Sequence, residues 1–551
     1  MEKIIETSEC KNCKNNFHIT DWDMNFYKKM EVPLPTFCAN CRQMRRLAFR
    51  NERYLYHRKC DLCQKNIISV SPPDTKLKVY CVDCFWSDKW NETDYGIDFD
   101  FSKNFFEQYA LLKARVPHLA LYGRDNFNSD FVNLSGYNKN CYLIFAGEYN
   151  EDCQYGTQVI KCKDCLDNFD CFESQNCYEC IDISKCYEVF FSENCRNCNS
   201  SMFLFDCRGC AECLFCTNLR NKKYCIQNHQ YSKEEYLKYK QTLIEMLKQG
   251  QIEALSEKFE KLKKSAVYKN LWSENNENSE GNYLFDSKNC LDCYDLSYGE
   301  DCKFVYTGFK TKDCMDVCHT TEAEMSYEGT SIGYHSYNVK FMFMSWTSSN
   351  CEYGYQCANC TDAFGCVGLK HKKYCILNKQ YTKDEYQNLR QKIIEHMKKT
   401  KEYGEFFPIN LSQYCYNETL ANDYFPLKKE EALSLGYNWK DKENKEYLPQ
   451  KFEIPKNIED VKEEIINEIL SCKTCGRNFK LNFKELNFHK RFSLPISHFC
   501  PDCRQLNKLG KRPKRNLIQR ECAKCGTGIK SAITDSSINK IYCEKCYLAG
   551  I

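Results

Sequence analysis

The sequence predicts a multi-domain, β-rich chain in which small cysteine-knuckle modules at both termini flank a duplicated, cysteine-rich, β-solenoid-like centre with capped helices. Three observations predict it. The chain has 551 residues and 42 cysteines, and Cys-x-x-Cys pairs gather at both ends. The terminal sets share one register: Cys10, Cys13, Cys38, Cys41, Cys60, Cys63, Cys81 and Cys84 each lie 462 positions before Cys472, Cys475, Cys500, Cys503, Cys522, Cys525, Cys543 and Cys546. Between them, LRNKKYCIQNHQYSKEEY at 219–236 returns as LKHKKYCILNKQYTKDEY at 369–386.

Each terminal set is four knuckles, and two knuckles make the tetrahedral thiolate cage that structural zinc prefers. The 462-residue register extends beyond cysteine, pairing Phe17 with Phe479, Pro33 with Pro495, Arg42 with Arg504 and Tyr80 with Tyr542. The sixteen cysteines are therefore read as ligands of four structural zinc ions in two double zinc-ribbon modules. Sequential pairing puts Cys10, Cys13, Cys38 and Cys41 on one ion and Cys60, Cys63, Cys81 and Cys84 on the next, with cross-bracing as the alternative. Gly476 and Gly526 follow their knuckles, where a left-handed backbone is often needed, and Lys14 and Gln64 stand at the equivalent N-terminal positions. A closed four-thiolate shell leaves no position for an activated water, so catalytic zinc is not expected.

In the centre, Cys141, Cys153, Cys165 and Cys177 are twelve apart, as are Cys290, Cys302 and Cys314. Asn or Asp precedes each of them, from Asn140 and Asp152 to Asp313. A second spacing of nine joins Cys162, Cys171 and Cys180. Fixed short periods predict stacked coils. A twelve-residue coil has a perimeter of about 40 Å at ~3.3 Å per residue and an interior suited to small side chains; a coil of two repeats is the alternative. The second copy follows the first at an offset that slips by one residue, since Cys207 maps onto Cys357 but Cys141 onto Cys290. The 25 cysteines of the arrays are expected to pack as small hydrophobes. Further metal ligation is considered at Cys207, Cys210, Cys213 and Cys216.

Ser232 with Glu235, and Thr382 with Glu385, have capping-box spacing. They predict a helix after each array, the first running towards Lys264. A third helix is expected over Ile458–Leu470, and prolines 408, 426, 449 and 455 predict an extended connector over 404–456. The expected domains are double zinc-ribbon modules at 1–92 and 471–551, a linker with a helix at 93–130, arrays with their helices at 131–270 and 271–403, and a connector at 404–470.

CKNCKNNFHITDWDMNFYKKMEVPLPTFCANCRQ and CKTCGRNFKLNFKELNFHKRFSLPISHFCPDCRQ resemble the zinc-ribbon domain family. With LKHKKYCILNKQY and GEFFPINLSQYCYNET, nearly the whole chain resembles uncharacterised cysteine-rich proteins of reduced-genome candidate-phyla bacteria. The resemblance implies architecture and zinc, and no activity.

Net charge is +3, so any charged surface must arise by clustering. Arg42, Arg45, Arg46, Arg50, Arg53 and Arg58 follow the second knuckle of the first module, and Arg504, Lys508, Lys511, Arg512, Lys514, Arg515 and Arg520 that of the second. Arginine forks on a rigid zinc scaffold suit phosphate, so a nucleic acid is the expected partner, RNA or the ribosome before DNA. Pairing with acids of the chain itself or of a protein partner is the competing expectation, with the first array as a source of acids. No P-loop, GxGxxG or HExxH is present, and the Asp98–Asp100 pair is too short to signify a nuclease. The chain is read as non-catalytic, with a protein-interaction scaffold and a thiol or metal redox protein as alternatives. Nothing in the sequence reads as a signal peptide or a membrane span, so the expected compartment is the cytoplasm, where reduced thiols favour metal binding over disulfides.

Overall fold

Asn and Asp tolerate the left-handed backbone conformation better than other residues with a side chain, and the centre uses it at a fixed interval. In the computed structural model, which describes residues 2–441 and 446–550, every third residue from Leu134 to Gln227 has a positive φ, between 47° and 63°. Asn140, Asp152, Asp164 and Asn176 are four of these corners. Each corner turns the chain, so four three-residue sides close one coil. The residue after each corner faces inward. Cys141, Ile144, Cys153, Val159, Cys162 and Cys165 all occupy such places and are buried in one apolar cluster.

The ladder between coils is parallel with a step of twelve. Tyr142 pairs with Gln154, Thr157 with Phe169, Phe169 with Ile181, and Met202 with Leu214. The second array has the same ladder, with Cys290 beside Cys302 and Val339 beside Cys351. It departs from twelve at its start, where Glu280 pairs with Leu291 at a step of eleven, and again at a step of thirteen from Glu324 to Tyr337. The extra residue lies at Tyr334–His335, two consecutive residues with φ of 54° and 66°. That insertion accounts for the slipped offset between the arrays. The observed step between paired strands is thus twelve residues, and its first pairing, Gly123 with Ser135, begins ahead of residue 131.

Each ladder ends in a reversal, Lys223–Ile226 against His229–Gln230 and Lys373–Ile376 against Lys379–Gln380. A helix follows, and both expected capping boxes are formed, at Ser232 with Glu235 and Thr382 with Glu385. The first helix does not run unbroken to Lys264. It stops at Lys248 and restarts as Ile252–Ser265, because Gly250 between them takes φ +72°.

The expected helix over Ile458–Leu470 is not formed. The segment makes two 3-10 turns, Ile458–Asp460 and Glu463–Asn467. Ile458, Val461, Ile465 and Leu470 are buried against Leu481, Leu486 and Ile496. The β-branched residues among them gain little from an α-helix, and burial of these side chains decides the backbone. The connector is also less extended than expected, with short helices at Leu420–Tyr424 and Lys429–Ser434. Its residues 442–445 lie outside those described.

The chain divides into two compact units, and the division does not follow chain order. One unit joins residues 1–121 to 271–441, and the other joins 122–270 to 442–551. The N-terminal module therefore shares a unit with the second array, and the C-terminal module with the first. Each joint includes the same short parallel pair: Val79–Tyr80 with His118–Leu119 in one unit, and Ile541–Tyr542 with Tyr268–Lys269 in the other.

Candidate metal centres and their cation clusters

Each four-cysteine group is built from one hairpin and one helix start. Cys10 and Cys13 lie in the turn between the paired strands Ile4–Glu9 and Asn16–Thr20, and Cys38 caps the helix Ala39–Leu47 that carries Cys41. Cys60 and Cys63 lie between Tyr56–Lys59 and Asn66–Ser69, with Cys81 capping Val82–Trp86. The C-terminal module repeats both designs, with Cys500 capping Pro501–Lys511 and Cys543 capping Glu544–Leu548. A helix N-terminus favours a thiolate through its dipole and free N–H groups. The knuckle turn requires a left-handed residue at its fifth position. Gly476 and Gly526 supply it at φ 73°, and Lys14 and Gln64 adopt it at 63° and 62°.

The groups are sequential: Cys10, Cys13, Cys38 and Cys41; Cys60, Cys63, Cys81 and Cys84; Cys472, Cys475, Cys500 and Cys503; Cys522, Cys525, Cys543 and Cys546. Within each, all four sulfurs lie within 4.8 Å of one another. A tetrahedral ion with bonds of about 2.3 Å needs sulfurs roughly 3.8 Å apart. Cys13 and Cys38 are 3.8 Å apart, Cys63 and Cys81 3.9 Å, Cys475 and Cys500 3.7 Å, and Cys525 and Cys543 3.9 Å. The residues present fit a tetrahedral metal ion and are compatible with zinc. Backbone N–H groups of Cys38, Cys81 and Cys543 point at Cys10, Cys60 and Cys522, each at 3.3 Å. At Cys60, burial pushes the thiol up, but backbone donors from Cys63, Cys81 and Leu62 outweigh it and bring the pKa to about 7.

The basic residues beside these groups are largely inside the units. Arg42, Arg45, Arg46 and Arg50 are at most 5% exposed. Arg42 Nε donates to Asp316 at 2.8 Å, and Arg46 bridges Asp316 and Glu328 at 3.1 and 3.0 Å. Arg45 joins Glu328 at 3.0 Å and Glu405 at 2.7 Å. Arg50 pairs with Glu52, Arg53 holds Asp423 through both nitrogens of its fork, and Arg58 pairs with Asp61. In the other unit Arg504 donates to Glu485 at 3.0 Å and to Asp167, which also receives Lys508 at 3.4 Å. Arg512 joins Asp170 and Asp182 at 2.9 and 2.8 Å, and Lys511 reaches Glu193 and Glu260. Arg520 donates to the Asp535 carbonyl, Arg515 is half-buried, and Lys514 is exposed.

The two clusters are copies. Arg42 and Arg504 correspond between modules, and Asp316 and Asp167 correspond between arrays. The rings beside them correspond too: Arg42 lies over Phe304 at 5.7 Å and Arg504 over Tyr155 at 4.5 Å. Tyr27 packs edge-on to Tyr327 as His489 does to Tyr178, at 5.7 and 5.2 Å. Asp316, Glu328, Glu405, Asp423, Asp170 and Asp182 were not singled out from the sequence. The signal for the central pair was present, since a duplicated cation and a duplicated acid each keep their place in a repeat. Of the acids that receive the N-terminal arginines, Asp316 and Glu328 come from the second array rather than the first, Glu405 and Asp423 from the connector, and Glu52 and Asp61 from the module itself.

His489 is fully buried. Burial, and then the charge of Arg504, lower its pKa to about 4. A folded-state pKa below the ordinary value near 6.5 means that below that pH the unfolded chain binds the extra proton. Stability is then complete above pH 6.5 and is lost as pH falls towards 4. His489→Tyr installs the residue that Tyr27 provides at the equivalent place. Between pH 7.5 and pH 5 the parent chain is expected to lose about 2 kcal/mol more than this variant, from about 1.4 kcal/mol per pH unit. Urea denaturation at both pH values measures it, and equal losses sink the account.

Of the 25 array cysteines, Cys207, Cys210, Cys213 and Cys216 belong to the continuous buried ladder. Cys162, Cys165 and Cys171 instead form a triad with sulfurs within 4.8 Å of one another. Asp98 and Asp100 lie apart from all of these groups, with Asp98 paired to Lys379. Comparison with protein-family models and with curated proteins finds no match to this chain. Among the described residues, no helix is long and apolar enough to cross a membrane.

Proposed function

We propose that this protein is a non-catalytic scaffold in which four structural zinc ions hold the terminal modules and the modules clamp two β-solenoids. One observation carries the proposal: Arg42, Arg46 and Arg504, beside the zinc-type groups, are committed to buried carboxylates of the array in their own unit. A cation used in this way locks a module to an array and has little left to offer a phosphate. The array surface is then the binding surface, and its exposed corners carry large side chains such as Tyr149 at 51% and Tyr298 at 52%. Protein partners are the expected ligands. The test is purification of the native chain under mild conditions with cross-linking and absorbance at 260 nm. Recovery of protein partners without nucleic acid supports the scaffold; nucleic acid that stays bound until salt is raised overturns it.

A second reading rests on a charge asymmetry. Residues 471–551 contain 17 Lys or Arg against 5 Asp or Glu, whereas residues 1–92 contain 16 against 12. Lys473, Lys524 and Lys545 are exposed on the C-terminal module. This reading confines nucleic-acid contact to that module and to lysines outside the buried cluster. Reversing these three charges then lowers RNA affinity and flattens its log-linear salt dependence. An unchanged salt slope removes the second reading.

A further inference from the structure

The interior of the first array holds a group of thiols that the terminal centres do not use. Cys162 closes one coil, Cys165 opens the next, and Cys171 lies two sides further on. Their sulfurs are within 4.8 Å of one another, with Cys162 and Cys171 only 3.6 Å apart. All three are buried, Cys171 completely. Among the described array residues, no other set of three or more Cys, His, Asp or Glu side chains meets this spacing.

We propose that Cys162, Cys165 and Cys171 form a fifth metal site, trigonal and selective for a soft monovalent cation such as Cu(I). Ligand number comes first. The polar side chains on the same coil are already engaged: Asn168 accepts from the Cys180 N–H and donates to the Cys177 carbonyl, and Ser174 accepts from the Cys186 N–H and donates to the Phe172 carbonyl. Cys153 and Cys177, one coil before and after Cys165, fall outside the triad. Three sulfurs without a fourth donor do not satisfy zinc, which takes four ligands in structural sites. Soft thiolate sets select Cu(I).

Charge comes second. A dry, apolar interior strongly disfavours an uncompensated charge. Cysteine ligates as the thiolate, so binding releases a proton from each thiol that joins the ion, the charge of the ion offsets part of the negative charge so formed, and every sulfur keeps its original oxidation state. The thiols are also free to turn. The Cys162 thiol has the Ile160 and Cys171 carbonyls as alternative acceptors at 3.4 and 3.3 Å, and the Cys165 thiol has the Ser174 carbonyl at 3.5 Å. These weak S–H bonds are easily exchanged for metal bonds.

Because the triad is enclosed, the ion enters as the coil forms. The full chain is therefore produced anaerobically in cells supplied with copper, washed with a Cu(I) chelator, and its metals are counted per chain. The expected result is one retained copper with a near-ultraviolet sulfur-to-copper band, and an unchanged zinc content. Cys171→Ser and, separately, Cys162→Ala reduce retained copper at least tenfold at the same zinc content, which also reports that the terminal modules are intact. Cys360→Ser, which removes a buried thiol of the second array outside the triad, leaves copper unchanged. No retained copper, copper gained only as zinc is lost, or equal retention in Cys171→Ser and Cys162→Ala overturns the proposal.

Discussion

Arg504→Met is expected to destabilise its unit by about 3–5 kcal/mol, the range for removing one partner from a buried ion pair. Arg504 is 4% exposed, and its fork is held between Asp167 and Glu485, both of which are buried. Burial pushes the Glu485 carboxyl pKa up, and Arg504 and Tyr155 counter that push. Without the guanidinium Asp167 keeps Lys508 at 3.4 Å, and Glu485 keeps the Tyr155 hydroxyl as donor at 2.7 Å. The triple variant Arg504→Met with Asp167→Asn and Glu485→Gln removes the stranded charges and is expected to recover most of the loss. Urea denaturation of the three chains measures both effects. A single variant within about 0.5 kcal/mol of the parent, the range typical of surface substitutions, shows that the cluster does not clamp the module.

Cys500→Ser is expected to cost one metal ion per chain and the folded state of the first half of the C-terminal module. Structural zinc contributes about 10–16 kcal/mol of apparent binding free energy in small zinc domains, and that energy is folding energy. The helix that Cys500 caps, Pro501–Lys511, is too short to persist alone in water. It also carries Arg504, Lys508 and Lys511, so losing it releases the buried pairs as well. Metal counting gives one ion fewer, and limited proteolysis gives new cleavage near 472–511 with the first array still protected. Retention of the full metal content, or of protease resistance over 472–511, contradicts this. Chelation of all four groups extends the same loss to both units.

Much of the candidate site was legible in the sequence because metal ligation is local. A knuckle places two sulfurs by its own turn, and the spacing from Cys10 to Cys41 or from Cys60 to Cys84 brings the next knuckle within reach. The spacing favoured sequential over cross-braced grouping without excluding the latter, and the fold brings the sequential groups together. The coil was legible in part. The twelve- and nine-residue spacings and the Asn or Asp before each cysteine were visible, but both spacings are multiples of three. The three-residue side appears only once the repeated positive φ is seen at residues such as Leu143, Tyr155 and Phe203, whose chemistry gives no hint of a left-handed corner. The segment 458–470 misled for a related reason: its apolar spacing fits a helix, while its burial partners Leu481, Leu486 and Ile496 lie beyond the segment.

The sequence by itself determined the candidate ligands, the two duplications and the caps at Ser232 and Thr382, since each depends on contacts between near neighbours or on a repeated register. Only the tertiary structure decided which module belongs with which array, and so what the clustered arginines do. A guanidinium presents the same fork to a phosphate and to a carboxylate. Whether Arg46 meets solvent or meets Asp316 and Glu328 depends on bringing together residues some 270 to 282 positions apart, and no local pattern records that distance.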